Sequence, residues 1–312
     1  MSNKKYIFIC RAFPDKEVKD YSCNFKRGFT INQAPEIFQW NVIKGLTENN
    51  ANFDVMACPC VPSYPQLYSE WKVDYFSYNI DKSSTFYNIG YCTFFVLKDY
   101  SMEFNLYRNL SLWCRDNQDK ELVAIVYNVD APLLSAANKV KKKFPNLKIS
   151  VIITDMIEDA MNFKANRTLL KRVQLSIQKK KIFQSYKQVD YYILLSELMK
   201  NRLPNCNEYV IVEGIFAAID KHEEVKKEKI VVYTGILDTY VNLPELVEAF
   251  KNIENKDYKL VICGKGPYSD YLKKVSEEDP RIEFLGVLPR EEAIALQKKA
   301  SLLINPRQPS EI

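Results

Sequence analysis

From about residue 229 the chain alternates short apolar runs with amphipathic stretches. The runs are Ile230 to Gly235, Lys259 to Gly266, Ile282 to Gly286 and Ser301 to Ile304. Each is shorter than an ordinary helix, and three of them end on glycine, as buried parallel strands feeding tight turns do. Between the first two, Leu243, Leu246, Val247, Phe250 and Ile253 recur at three- and four-residue intervals, which describes one apolar helix face. Asn242 with Glu245, and Pro244 in the first turn, predict a capped start for that helix. Strand and helix alternate through four strands, a doubly wound α/β pattern.

The first two thirds follow the same rhythm less cleanly. Residues 5–10 predict a strand, and residues 33–48 a helix with Asn32 as cap, Pro35 in its first turn and Phe38, Val42 and Leu46 inward. Residues 52–58 predict a second strand. The stretch 59–84, rich in Tyr, Pro and Ser, predicts a long loop, and loops of that length are usually functional or mobile. A strand is expected around Gly90 to Val96 and a helix over 102–117. Strands follow at 122–127, 147–154, 191–195 and 208–212, with a helix over 132–143, a basic helix between 164 and 189, and a short helix from Glu197. This predicts a first α/β domain over 1–215, a charged linker over 216–228 and a second domain over 229–312. Tandem domains of this kind offer a cleft at the carboxyl ends of their strands, where open α/β folds bind ligands.

Composition narrows the classes. A chain of 312 residues with 47% apolar content suits two packed domains and argues against disorder. No run approaches the roughly 20 apolar residues of a membrane span, and the start of the chain has neither the apolar core nor the cleavage site of a signal peptide. Eight scattered cysteines with no Cys-x-x-Cys, and a single histidine at His222, read as buried reduced thiols and not as a metal centre, which suits the cytosol. The net charge of +5 is mild, but no acidic residue occurs between Lys164 and Lys187, a stretch with eight lysines and arginines interleaved with Leu169, Val173, Ile177 and Phe183. A solvated helix face is the plain reading; the functional one is attraction to an anionic membrane surface or to an acidic, lipid-linked substrate. No nucleic-acid-binding signature accompanies the patch.

Gly264-Lys265-Gly266-Pro267 follows a strand and precedes a helix, so it could offer amides and a helix N-terminus to a phosphate. It is neither the dinucleotide fingerprint, since Ser269 stands where a third Gly or an Ala is wanted, nor a P-loop. No nucleophile elbow or zinc-hydrolase motif is present. Asp130 and Asp155 each end a strand of the first domain; such carboxylates can bind sugar hydroxyls, or cap the following helix. Glu213-Gly214 reads as a turn at the same end of the sheet.

These residues resemble the retaining glycosyltransferases of family 4. The resemblance is most specific in Tyr233 to Asp238 with Leu246 to Phe250, in Leu260 to Pro267, and in Ile282 to Arg290 with Leu302 to Arg307; Phe38 to Leu46, Ile153 to Asp155 and Val212 to Ile215 match acceptor domains of bacterial polysaccharide glycosyltransferases more loosely. It implies a GT-B fold of two Rossmann-like, doubly wound domains. It also implies a nucleotide-sugar donor held by the second domain, a saccharide or lipid-linked acceptor held by the first, and a retaining hexosyl transfer with no bound metal or cofactor, in cell-surface polysaccharide synthesis at the cytoplasmic side of the membrane.

By residue it implies that Gly235, Ile236, Gly264 and Gly266 approach the diphosphate with Arg307, that Val287 and Leu288 lie against the nucleobase, that Asn32, Gln33 and Asp130 meet the acceptor, and that Asp155 serves catalysis. Asp238-Thr239-Tyr240 stands where the family commonly carries an Arg or Lys. The family's paired-glutamate motif would follow Pro306-Arg307, so the resemblance implies that the second domain is incomplete by roughly two βα units and a returning helix, with a sheet edge and apolar helix faces uncovered. Two readings stay open: a glycosyltransferase, or a non-catalytic remnant or binding subunit that needs a partner chain. A nucleotide-sugar epimerase or dehydrogenase ranks below both, because no dinucleotide fingerprint follows the first strand.

Overall fold

The computed structural model describes residues 3–26, 29, 31–156, 169–215 and 225–307. The chain divides into two compact units, Met1–Ala218 and Ile219–Ile312.

The first unit is built on an eight-stranded sheet. In chain order its elements are β1 (Lys4–Cys10), α1 (Gln33–Glu48), β2 (Phe53–Ala57), β3 (Lys72–Val73), β4 (Phe76–Asn79), β5 (Thr85–Asn88), β6 (Tyr91–Cys92), α2 (Lys98–Asp116), β7 (Glu121–Tyr127), α3 (Ala131–Lys143), β8 (Lys148–Ile153), α4 (Leu169–Tyr186), β9 (Tyr191–Leu194) and β10 (Tyr209–Ile211). The sheet order is β10-β9-β8-β7-β1-β2-β5-β4. All neighbours are parallel except β4, which runs antiparallel to β5 at one edge. β3 and β6 form a separate antiparallel pair.

Strand periodicity explains the layering. Ile7 and Ile9 of β1 join the cluster that holds Met102, Leu106 and Leu110 of α2, Leu133 and Val140 of α3, and Ile182 and Tyr186 of α4. Phe8 and Cys10 face the other way, against Ile43 of α1. Successive side chains of a strand point to opposite faces, so a strand buried on both reads as a continuous apolar run.

The second unit repeats the plan with four parallel strands: β11 (Glu228–Thr234), α5 (Leu243–Lys251), β12 (Lys259–Cys263), α6 (Ser269–Glu278), β13 (Ile282–Gly286), α7 (Arg290–Lys299) and β14 (Ala300–Leu303), in the order β13-β12-β11-β14. Leu243, Leu246, Val247 and Phe250 of α5 are buried with Leu272 and Val275 of α6 on one face; each such side chain contributes about 2 kcal/mol. Leu296 of α7 packs on the other face. β14 carries the exposed Leu302 and Leu303.

Several expectations need correction. The stretch 59–84 is not one loop. Phe76 and Tyr78 alternate with polar residues in β4, and Tyr78 stacks on Phe86 of β5 at 5.0 Å. The strand expected at 90–96 is instead β5 at 85–88, paired with β2 and β4, and the short β6, paired with β3; Gly90 between them lies so close to the Val73 to Tyr75 backbone that a Cβ would clash. In α1 the buried positions are Gln39 and Ile43, with Phe38, Val42 and Leu46 packed half-buried beside them. Asn32 and Asn242 occupy N-cap positions, but neither side chain caps its helix. Ile253 lies beyond the end of α5. Cys23 and Cys60 are exposed; all eight cysteines are free. Of the basic stretch, Lys164 and Arg167 lie outside the described residues, as do His222 and most of the expected linker.

Candidate functional site

Each unit carries a cleft at the carboxyl end of its sheet. In the second unit, β11 leads to β12 and β13 on one side and to β14 on the other, so the winding reverses at β11. Crevices at such reversals are the usual ligand sites of open α/β sheets. A cavity of about 640 Å³ opens there, lined by Thr234, Gly235 and Ile236 after β11, Cys263 to Pro267 after β12, Val287 and Leu288 after β13, and Ala293 of α7.

The glycines let these loops meet. Gly264 has a φ of +148° and its amide donates to the Gly286 carbonyl at 2.7 Å. A Cβ on Gly264 would collide with the Gly235 carbonyl oxygen, and one on Gly266 with the Leu237 carbonyl. Close backbone approach, and not chain flexibility, is what glycine supplies here. The Gly235 amide donates to Cys263 at 3.0 Å and the Leu237 amide to Lys265 at 3.1 Å, tying the first two loops together. Gly266 donates to Ser269 Oγ, whose hydroxyl donates back to the Gly266 carbonyl at 2.7 Å, at the start of α6. Among the described residues, the amides of Ile236, Val287 and Leu288 find no protein acceptor. The cavity thus combines unused N–H groups with an apolar strip and a nearby helix N-terminus, which suits an anionic group attached to a flat apolar one.

In the first unit the winding reverses at β1, between β2 and β7. A cavity of about 370 Å³ lies there, lined by Arg11, Asn32, Glu36, Gln39, Cys60, Tyr127 and Asp130, among others. Glu36, Phe13, Phe29 and Ile31 also line an adjoining cleft with Tyr21, Phe25, Gln33 and Trp40. Glu36 stands at this seam. Its Oε1 accepts from the Phe13 amide at 2.9 Å and from Trp40 Nε1 at 3.1 Å; among the described residues Oε2 has no protein donor. Burial pushes the Glu36 carboxyl up to about 7, against those two hydrogen bonds. The Arg11 amide donates to Gln39 Oε1 at 2.7 Å, which explains a buried glutamine on the core face of α1. Burial opposes the Arg11 charge most strongly, but Asp130, with Oδ2 3.7 Å from Nε, together with Cys60, Tyr91 and Cys58 outweighs it and keeps the guanidinium ionised.

The expected site residues separate clearly. Gly235, Ile236, Gly264, Gly266, Val287 and Leu288 share the cavity of the second unit. Arg307 does not line it: its guanidinium lies over the Tyr240 ring at 5.1 Å. Asn32 and Asp130 line the first-unit cavity and Gln33 its neighbour. Asp130 is also a helix cap, accepting from the Leu133 amide. Asp155 follows β8, exposed, accepting from Thr154 Oγ1 at 3.2 Å; it lines none of these cavities. Arg11, Glu36 and Gln39 were not anticipated. The available signal was position: Arg11 is the first residue after an apolar strand at the winding reversal, and Glu36 sits in the first turn of the helix that follows.

Comparison with known proteins agrees with this layout. Residues 215–311 match the family described as Glycosyl transferases group 1. No curated protein matches the chain. Among solved structures, the apo form of the lipopolysaccharide outer core galactosyltransferase WaaB is similar with a TM-score of 0.58 and 15% identity, covering 97% of this chain and 74% of that one. Sucrose-phosphate synthase from Thermosynechococcus elongatus gives 0.53 at 10% identity, over 97% and 75%. The catalytic domain of Starch Synthase IV from Arabidopsis thaliana, bound to ADP and acarbose, gives 0.50 at 7% identity, over 97% and 78%. At these identities the likeness establishes the fold, that of GT-B glycosyltransferases. The match to group 1 glycosyl transferases covers 97 of the 312 residues, essentially the second unit.

Proposed function

We propose that the chain transfers a hexosyl group from a nucleotide-sugar to a saccharide or lipid-linked acceptor, with retention of anomeric configuration, in cell-surface polysaccharide synthesis on the cytoplasmic side of the membrane. One observation carries the reading. Gly235, Gly264, Gly266 and the Val287-Leu288 strip, spread over more than fifty positions, converge on one cavity inside the segment that matches group 1 glycosyl transferases.

In this reading the diphosphate lies against the Gly235-Ile236 and Gly264-Lys265-Gly266 loops, and the base rests on Val287 and Leu288 within reach of their free amides. As the bond from the anomeric carbon to the diphosphate breaks, negative charge grows on the leaving group. Amides already oriented toward it favour that charge without reorganising. The acceptor belongs to the first-unit clefts, where Glu36 Oε2, Asn32, Gln33 and Asp130 offer hydrogen-bonding groups beside the rings of Phe13, Tyr21 and Trp40. We assign Asp155 to acceptor orientation at the same end of the sheet, and Arg307 to the donor side. The reading gives the diphosphate charge to backbone amides, so transfer is expected to survive chelation of divalent cations.

Calorimetric titration of the chain with UDP, GDP and ADP tests the donor half, and product release from the matching nucleotide-sugars tests the reaction. Binding of at least one nucleotide, abolished by Val287→Asp or Leu288→Asp, is expected. No binding at millimolar nucleotide would overturn the reading.

A further inference from the structure

We infer that the first unit docks on an anionic lipid bilayer through the lip formed by residues 94–104 and the adjoining face of α4. The inference stands apart from the donor site. Phe94, Phe95, Val96, Leu97, Tyr100 and Phe104 are all exposed within eleven positions, Val96 at 80% and Tyr100 at 70%. Phe95, Val96 and Tyr100 line an apolar crevice of about 280 Å³ together with Pro132, Val173 and Ile177, so the lip and α4 form one surface. Val173 and Ile177 are themselves about half exposed. Soluble proteins rarely leave so dense an apolar patch uncovered.

Charge identifies the occupant. The helices behind the lip are strongly basic: α3 and α4 contain no acidic residue, and Arg172, Lys179 and Lys180 are exposed on α4. The two acidic side chains that α2 presents to them are already engaged. Asp99 Oδ2 accepts from Gln174 at 3.0 Å and Gln178 at 2.7 Å, and the buried Glu103 pairs with Lys139 at 2.6 Å and Lys181 at 2.7 Å. Lys141 of α3 pairs with Asp190 at 2.7 Å, whereas Arg172, Lys179 and Lys180 of α4 make no ion pair among the described residues. An apolar, aromatic lip flanked by uncompensated lysine and arginine is the composition that partitions into the interface of an anionic membrane: rings and aliphatic groups enter the headgroup boundary while the cations hold acidic headgroups. A protein partner would have to supply a large acidic apolar face, whereas an anionic leaflet supplies both features.

Flotation of the full chain with vesicles decides it, comparing phosphatidylglycerol mixed with phosphatidylcholine against phosphatidylcholine alone. Co-flotation with the anionic vesicles only, weakened by added salt, is expected. Val96→Asp alters a side chain that is almost wholly exposed, and Lys179→Glu with Lys180→Glu alters two exposed cations; each variant should lower partitioning by at least tenfold with the thermal unfolding curve unchanged. Equal recovery on neutral vesicles, variants that float like the parent, or no flotation at all would overturn the inference. So would a concentration-dependent dimer that Val96→Asp dissolves, since the lip would then serve a second copy of the chain. UDP titration without vesicles reads the donor site independently, so either claim can fail alone.

Discussion

Gly264 shows how much one backbone position carries in the second-unit cavity. Its φ of +148° lies where side chains other than hydrogen are strained, and its amide holds the Gly286 turn while its Cα faces the Gly235 carbonyl. Gly264→Ala is therefore expected to push apart the loops after β11 and β12, costing more than about 1 kcal/mol and weakening nucleotide binding more than it lowers the melting temperature. Calorimetry and a thermal melt on the same sample read both. Glu36 is the corresponding residue of the first unit. Burial raises its carboxyl to about 7 from an ordinary 4.5, so the folded chain favours the protonated form. Its stabilising contribution is complete below about pH 4.5 and is lost as the pH rises through 7. Glu36→Gln keeps an oxygen for the Phe13 amide and the Trp40 indole but cannot ionise. Across that window the variant should gain stability relative to the parent by about 1–3 kcal/mol, measured by urea unfolding at each pH. An unchanged difference would mean that the carboxyl is solvated.

Between elements, the ties that matter are polar and buried. Lys5 of β1 pairs with Asp54 of β2 at 2.9 Å, both nearly excluded from solvent. The same carboxylate accepts from Trp113 Nε1 of α2 at 2.8 Å and from the Thr85 amide of β5 at 2.9 Å. Asp54→Ala strands an ammonium and an indole N–H in the core and should cost about 3–5 kcal/mol. Lys5→Met with Asp54→Leu should recover much of that, and denaturant unfolding of the cycle separates pairing from desolvation. This network also marks where sequence reading reached its limit. The central strands β1, β7 and β8 are legible because both faces are buried and the run stays apolar. β4 and β5 were obscured because an antiparallel edge strand such as Phe76 to Asn79 carries Ser, Tyr and Asn, the residues that also fill loops. The inward residues expected in α1, Phe38, Val42 and Leu46, do pack on the core, but its most buried positions also include Gln39, which a hydrophobic pattern omits because it is buried as the partner of the Arg11 amide. The glycine cavity was readable, since strand-end glycines state their purpose locally. The Arg11–Glu36–Gln39 group was not, because it exists only once β1 and α1 are brought together.

At the scale of the whole molecule, the two units repeat one architecture with different chemistry at their strand ends. The second offers free amides and an apolar strip; the first offers charged and aromatic groups. Each unit has its own hydrophobic clusters, so a ligand of one should act on that unit's stability. A nucleotide at a hundred times its dissociation constant stabilises its binding unit by about 2.7 kcal/mol. Hydrogen exchange with and without UDP resolves where that stabilisation falls. The amides of Ile236, Val287 and Leu288 have no protein acceptor among the described residues, so they are expected to exchange quickly until a ligand accepts from them and should show the largest slowing. The amides of β11 and β12, already bonded in the sheet, should slow only as far as the unit itself is stabilised. Protection spread evenly over both units, or centred on Arg11 and Glu36, would place the nucleotide elsewhere. Protection confined to the loops after β11, β12 and β13 would mean that three separate strand ends bind as one site.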